Sequence, residues 1–386
     1  MAPAGRLRLF YLLYYANVGI VLPYLAPYLR GLGFSGEQIG LVQTGPALLA
    51  PVVALGWAAW ADRRASAVRA LRRASAWVAF AALGLPFAGT PLAVGGVVLA
   101  MALADRAVVP LVDSATLEWC RAAPPLSYAR VRLFGSLGFV LAAVGLGVAL
   151  TARGERAGDP LVPWIVVLCL AGYAAVARSV PEPPVHGEPR PGLGDVRALL
   201  SDRPLLLLLA ASAVHWAACA PYHLFFGVLV RDLGLPARVA GAGMGVGVVA
   251  EIAVLLAYPR IARRVPLRAQ LAIAFLGTTV RWLLVARTAG AASLVALQIL
   301  HGLTFGLFWG SVVSAMSEAV PARLRATGQA LFTAIVFGGG NAAGYALSGI
   351  GYDRLGAQPL FGWAAAAEII PLLLGLMLPL RRRVRA

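Results

Sequence analysis

Apolar residues fill most of this chain in runs of about 18 or more, each long enough to cross a hydrocarbon layer roughly 30 Å thick as a helix. Short polar breaks separate the runs and predict helices at roughly 8–29, 38–60, 73–88, 92–119, 128–150, 162–180, 204–230, 238–258, 269–287, 291–318, 324–350 and 359–380. Twelve spans bring both ends of the chain to the same side. The one long polar insertion, 181–203, is rich in proline and charge and predicts a cytoplasmic linker between two six-helix bundles, 1–180 and 204–386. The first run opens on arginines as a signal peptide does, yet its apolar part is too long, so it is expected to stay as the first helix.

The two halves resemble each other. LRGLGFSGEQIG, 29–40, returns 201 positions later as VRDLGLPARVAG, 230–241, and SATLEW, 114–119, returns 200 positions later as SAMSEA, 314–319. A near-constant offset at two places points to an internal repeat. The expected fold is therefore an all-α membrane protein of twelve transmembrane helices in two pseudo-symmetric six-helix bundles. Such repeats suit transport, because a site between them can face either side in turn. Gly241 with Gly245, and Gly340 with Gly344, have the spacing that lets helix backbones approach.

Composition agrees, with 60% hydrophobic and 13% charged residues against the usual quarter charged. The net charge of +17 would suggest nucleic acid in a water-soluble chain, but the arginines are placed otherwise. They follow alternate apolar runs, at Arg63, Arg64, Arg69, Arg72 and Arg73, at Arg260, Arg263, Arg264 and Arg268, and at Arg381 to Arg383, while loops on the other side balance Arg153 and Arg156 against Glu155 and Asp159. That alternation puts both termini in the cytoplasm of a bacterial inner membrane. Cys120, Cys169 and Cys219 have no ligand spacing and are expected to be small buried residues.

Ionisable residues inside spans survive when they are paired or line a wet cavity. Here they are Asp105, Arg106, Asp113, Glu251, Arg281, His301 and Glu368. YARVRLFGSLGF, 128–139, supplies Arg130 and Arg132 as partners for Asp113. His215 and His223 are expected to be structural or cavity-lining, and Glu368 has no evident role. Tyr14, Tyr15, Tyr24 and Tyr28 could stack a ligand or anchor an interface.

With YARVRLFGSLGF, TVRWLL (279–284) and QILHGLTFG (298–306), the chain resembles the major facilitator superfamily, in the branch around lactose permease and the phenylpropionate permease. The resemblance implies the major facilitator fold, a substrate pair at Asp113 and Arg132, and a proton-coupling group around Arg281 and His301; from the tyrosines, Tyr24 is added as a further substrate-binding candidate. Thr304 and Gln298 stand where lactose permease has its proton-bearing glutamate and a lysine, so Glu251 is expected to carry the proton. AAWADRRAS, 58–66, keeps part of the family's gating loop in Asp62, Arg63 and Arg64, with Ala58, Ala65 and Ser66 replacing its two glycines and last arginine.

The chain has no ATP-binding motif, no His-Glu-x-x-His and no nucleophile with a plausible base. It is expected to be no enzyme, to need no cofactor or metal, and to draw its energy from a gradient. The expected function is proton-coupled symport of a small organic solute (an aromatic carboxylate, a sugar or a nucleoside) by a monomer in a lipid bilayer. A proton-coupled exporter and a non-transporting scaffold or sensor are the alternatives.

Overall fold

The computed structural model describes residues 3–63, 66–122, 126–182, 199, 201–321 and 324–378. Among the described residues twelve long helices follow one another: α1 (Pro3–Gly31), α2 (Gly36–Arg63), α3 (Ala67–Ala82), α4 (Pro91–Ala122), α5 (Tyr128–Ala152), α6 (Leu161–Ser179), α7 (Arg203–Asp232), α8 (Arg238–Arg264), α9 (Leu267–Val285), α10 (Ala291–Ala319), α11 (Thr327–Leu355) and α12 (Ala357–Met377). Among the described residues there is no strand. Ten of the twelve are long and apolar enough to cross a membrane. Leu48, Val52, Leu168 and Leu256 are each more than half exposed on helix surfaces, where hydrocarbon would accept them without cost.

The chain divides into two compact units, Met1–Glu188 with Pro236–Ala242, and Pro189–Leu235 with Gly243–Ala386. In the first, α1 packs on α5 and α6 while α4 packs on α2 and α3. Small residues permit the closest contact: a Cβ on Gly138 would fall on the Leu12 carbonyl, and one on Gly19 on the backbone of Phe139. In the second, α7 packs on α11 and α12, and α9 on α10 and α12. Gly340 and Gly344 lie against the α7 backbone at Ala213 and Ala217, so the spacing noted in the sequence is a contact surface here. Most of the expected linker, residues 183–198 and 200, lies outside the described residues.

The repeat is visible in backbone detail. At the end of α1, the Gly33 N–H donates to Arg30 (3.0 Å) and the Phe34 N–H to Leu29 (3.1 Å), with Gly33 at φ +90°. At the end of α7, the Gly234 N–H donates to Arg231 (2.9 Å) and the Leu235 N–H to Val230 (3.0 Å), with Gly234 at φ +68°. These are matching Schellman caps, which need a residue in the left-handed region. The shared Leu-Gly pair thus closes a helix in the same way in each half.

The third helix starts earlier than its hydropathy suggests, at Ala67 rather than near 73. Ser66 caps it by accepting from the Arg69 N–H at 3.0 Å, and the stretch at Gly84, Pro86 and Phe87 leaves the α-helix for a 3₁₀ turn. In the second unit the helices are irregular where polar residues are buried. The winding of α7 breaks at Cys219, two residues before Pro221. Helix α10 is 3₁₀ over Gln298–Leu300 and π-wound over Gly302–Leu307. Helix α12 breaks at Glu368, three residues before Pro371, whose missing N–H leaves a gap in the ladder.

Candidate functional site

Each unit holds a polar cluster, built on different principles. In the first, α1 sets Tyr11 and Tyr15 one turn apart against α4 and α5. The Tyr11 hydroxyl donates to Asp113 Oδ1 of α4 at 2.5 Å, and Tyr128, which opens α5, lies near enough to the same carboxylate to interact with its charge. Arg132 of α5 lies with its guanidinium carbon 3.8 Å from the Tyr15 ring centre and 5.6 Å from that of Tyr11. Gly135 makes this seat possible, since a Cβ there would collide with both Arg132 and Tyr15. Asp113 feels the Arg132 charge, but the two form no direct salt bridge; tyrosines stand between them as a hydrogen-bond donor and as ring faces. Phe10, Tyr14 and Tyr173 continue the aromatic wall, with Phe10 and Tyr14 stacked at 6.4 Å.

In the second unit the polar groups are chained together. Arg281 of α9 is fully buried between the rings of Tyr222 and Trp282, at 4.3 and 4.5 Å. Its Nη2 donates to Gln298 Oε1 at 2.5 Å, and its Nη1 faces His301 Nδ1 at 3.0 Å. A guanidinium can only donate, so Nδ1 accepts and the proton of a neutral His301 sits on Nε2. That nitrogen points toward Glu251 Oε2 of α8, 3.7 Å away. Gly247, one turn before Glu251, leaves room for the imidazole. The shared winding of α10 places Gln298 and His301 on one side, where both reach Arg281.

The structure therefore brings Glu251, Arg281 and His301 into one network, and sets Asp113 and Arg132 in one cluster without a bridge. Tyr24 is elsewhere: it is 2% exposed and donates its hydroxyl to the Ala143 carbonyl at 2.5 Å, in the packing of α1 on α5. Asp62 and Arg63 end the described part of α2, and Arg64 lies outside the described residues. Tyr11, Tyr128, Tyr222 and Gln298 join the clusters without having been singled out as ligands. Tyr11 and Tyr15 at i and i+4 facing buried charge would have been the signal for the first pair. The cysteines are free thiols.

Outside the spans, the loop after α5 is clamped. Arg153 donates through Nε and Nη2 to Asp159 at 2.8 and 3.2 Å, and Asp159 also accepts from the Leu161 N–H at 2.9 Å. The Arg153 hydrogen bond holds the Asp159 carboxyl below the usual carboxylate range.

The family described as "MFS_1 like family" matches residues 5–363. Among curated proteins, the chain is 28% identical over 377 residues to the probable 3-phenylpropionic acid transporter of Escherichia coli (strain K12), covering 95% of each chain. It is 25% identical over 378 residues to the maltose permease of Geobacillus stearothermophilus, covering 97% of this chain and 94% of that one. Among solved structures, a point mutant of the nucleoside transporter NupG superposes with a TM-score of 0.88 at 18% identity, covering 98% of this chain and all of the other. That likeness establishes the shared fold.

Proposed function

The chain belongs to the MFS_1 like family of transporters, and from that premise we propose that it moves a small organic solute together with a proton across a bacterial inner membrane. The solute is an aromatic carboxylate, a sugar or a nucleoside. The first unit supplies its binding groups. Arg132 offers N–H donors, Asp113 offers acceptors, and the tyrosines offer ring faces. One observation carries this reading: Asp113 and Arg132 lie in one cluster without a direct salt bridge, so both keep bonding capacity for a third molecule.

Glu251, Arg281 and His301 of the second unit couple the proton. A proton on Glu251 would weaken its attraction to His301 and so disturb the network that reaches Arg281. The loop containing Asp62, Arg63 and Arg64 serves as the gate, both termini are cytoplasmic, and the working unit is a monomer. The relatives named for 3-phenylpropionic acid and maltose support the range of solutes.

The test is uptake into proteoliposomes under an imposed pH gradient, with a panel of aromatic acids, sugars and nucleosides. Accumulation of one class above its external concentration is expected. Glu251→Gln should abolish accumulation and keep exchange of labelled for unlabelled solute. Flux indifferent to every gradient and solute would favour a scaffold instead.

A further inference from the structure

His215 of α7 and Glu368 of α12 are 153 positions apart and both fully buried. His215 Nδ1 lies 2.8 and 3.0 Å from the two Glu368 oxygens, and Nε2 lies 3.1 Å from the backbone oxygen of Thr304. A carbonyl oxygen only accepts, so Nε2 carries a hydrogen. The contact at Nδ1 then requires one further proton, either on Nδ1 facing a carboxylate or on a carboxylic acid facing bare Nδ1. Both forms are neutral overall. Without that proton, lone pairs would face each other in a pair of charge −1, walled by the rings of Phe308 and Phe275 at 4.2 and 5.3 Å.

We propose that the His215–Glu368 pair is a second proton-carrying site of the transport cycle, working in series with Glu251. This rests on the reading of the chain as a proton-coupled transporter. The pair takes up one H⁺ from one aqueous side, going from charge −1 to 0, and releases it to the other.

The link to the solute-responsive network is Thr304. Its carbonyl belongs to the π-wound segment Gly302–Leu307, which begins directly after His301. A π segment is one step from ordinary α winding, and such segments occur often at functional sites. Rewinding it would move the Thr304 oxygen away from Nε2, freeing that nitrogen to change its proton. Movement of His301 and a change in proton affinity at His215 are thereby mechanically joined.

Among the described residues no strong fixed charge masks the pair. The Cys219 thiol lies 3.9 Å from Nε2, and His223 further along α7 feels the His215 charge. Helix α9 presents Phe275, α10 presents Phe308 and the Thr304 carbonyl, and α11 meets α7 through Gly340 and Gly344. Although His215, Cys219 and Glu368 could together approach a metal ion, both ring nitrogens are already committed to hydrogen bonds, which favours a proton as the occupant.

The test compares Glu368→Gln, His215→Asn and Glu251→Gln in proteoliposomes, each checked for a single symmetric peak in size-exclusion chromatography. Two assays are run: accumulation driven by a pH gradient, and gradient-free exchange of labelled solute. Loss of accumulation with exchange kept is expected in Glu368→Gln and His215→Asn. Accumulation at the parent level in either folded variant overturns the proposal, and so does loss of exchange together with accumulation. Failure of both variants to fold would assign the pair to packing and also overturn it. If Glu251→Gln alone uncouples, this inference falls while the coupling role of Glu251 stands. If the parent protein accumulates no solute under a gradient, proton-coupled transport itself falls.

Discussion

The two polar clusters contain the same chemistry, an acid, a guanidinium and aromatic rings, and use it in opposite ways. In the first unit Arg132 rests on ring faces, and Asp113 accepts a hydrogen bond from Tyr11. In the second, Arg281 is fully buried and linked by successive contacts to Gln298, His301 and Glu251. The difference teaches what each can do. A guanidinium that sits on ring faces without a side-chain hydrogen-bond partner can grip an arriving solute, whereas a chain of linked groups passes a disturbance from one member to the next. On the proposed function, binding and coupling would fall to separate clusters of different connectivity.

The sharpest way to break this contrast is Arg281→Met. Removing the hub of a buried charged network should cost about 3 kcal/mol of stability or more and abolish uptake, as read by thermal unfolding in detergent and by proteoliposome flux. If uptake survives, the second cluster is not a relay. Arg132→Lys is the matching change in the first unit. It keeps the charge and loses the planar fork and its stacking on Tyr15, so apparent solute affinity should fall about 30-fold, equivalent to about 2 kcal/mol, with little change in unfolding temperature.

Tyr11→Phe sharpens the picture further by removing the hydroxyl that donates to Asp113 while keeping the ring beneath Arg132. A weakening of about fivefold, near 1 kcal/mol, is expected in the concentration dependence of uptake. The smallest effect belongs to a position outside both clusters. Asp159→Asn should lower stability by about 1 kcal/mol at neutral pH and leave uptake unchanged. Because the Asp159 carboxyl titrates below its unfolded value of about 3.9, its stabilisation is complete above that pH and fades as the pH falls through the lower folded value. The melting difference between parent and variant should therefore close only in strong acid.

Much of the fold was legible because a membrane span writes its length into the sequence and a repeat writes its offset. The start of the third helix was not, since Ser66 sets that end by a hydrogen bond while the neighbouring arginines hide it from hydropathy. Arg281 and His301 were legible as a pair because they are the buried polar groups of neighbouring helices. Their tie through Gln298 was not, as it depends on the local 3₁₀ winding of α10. Tyr24, one of four tyrosines that could stack a ligand or anchor an interface, bonds a backbone carbonyl through its hydroxyl, a partner that sequence does not display. Glu368 and His215 could not be joined on paper, because no local pattern connects positions 153 apart.

The caps at Gly33 and Gly234 carry a consequence of another kind. A Cβ built at either position meets nothing within 4 Å, so space does not forbid a side chain there. Only the handedness of natural amino acids does, at about 1–2 kcal/mol for an L-residue held in left-handed backbone. A D-alanine introduced by chemical ligation would fit both corners without that strain, while L-alanine would tax each of them alike.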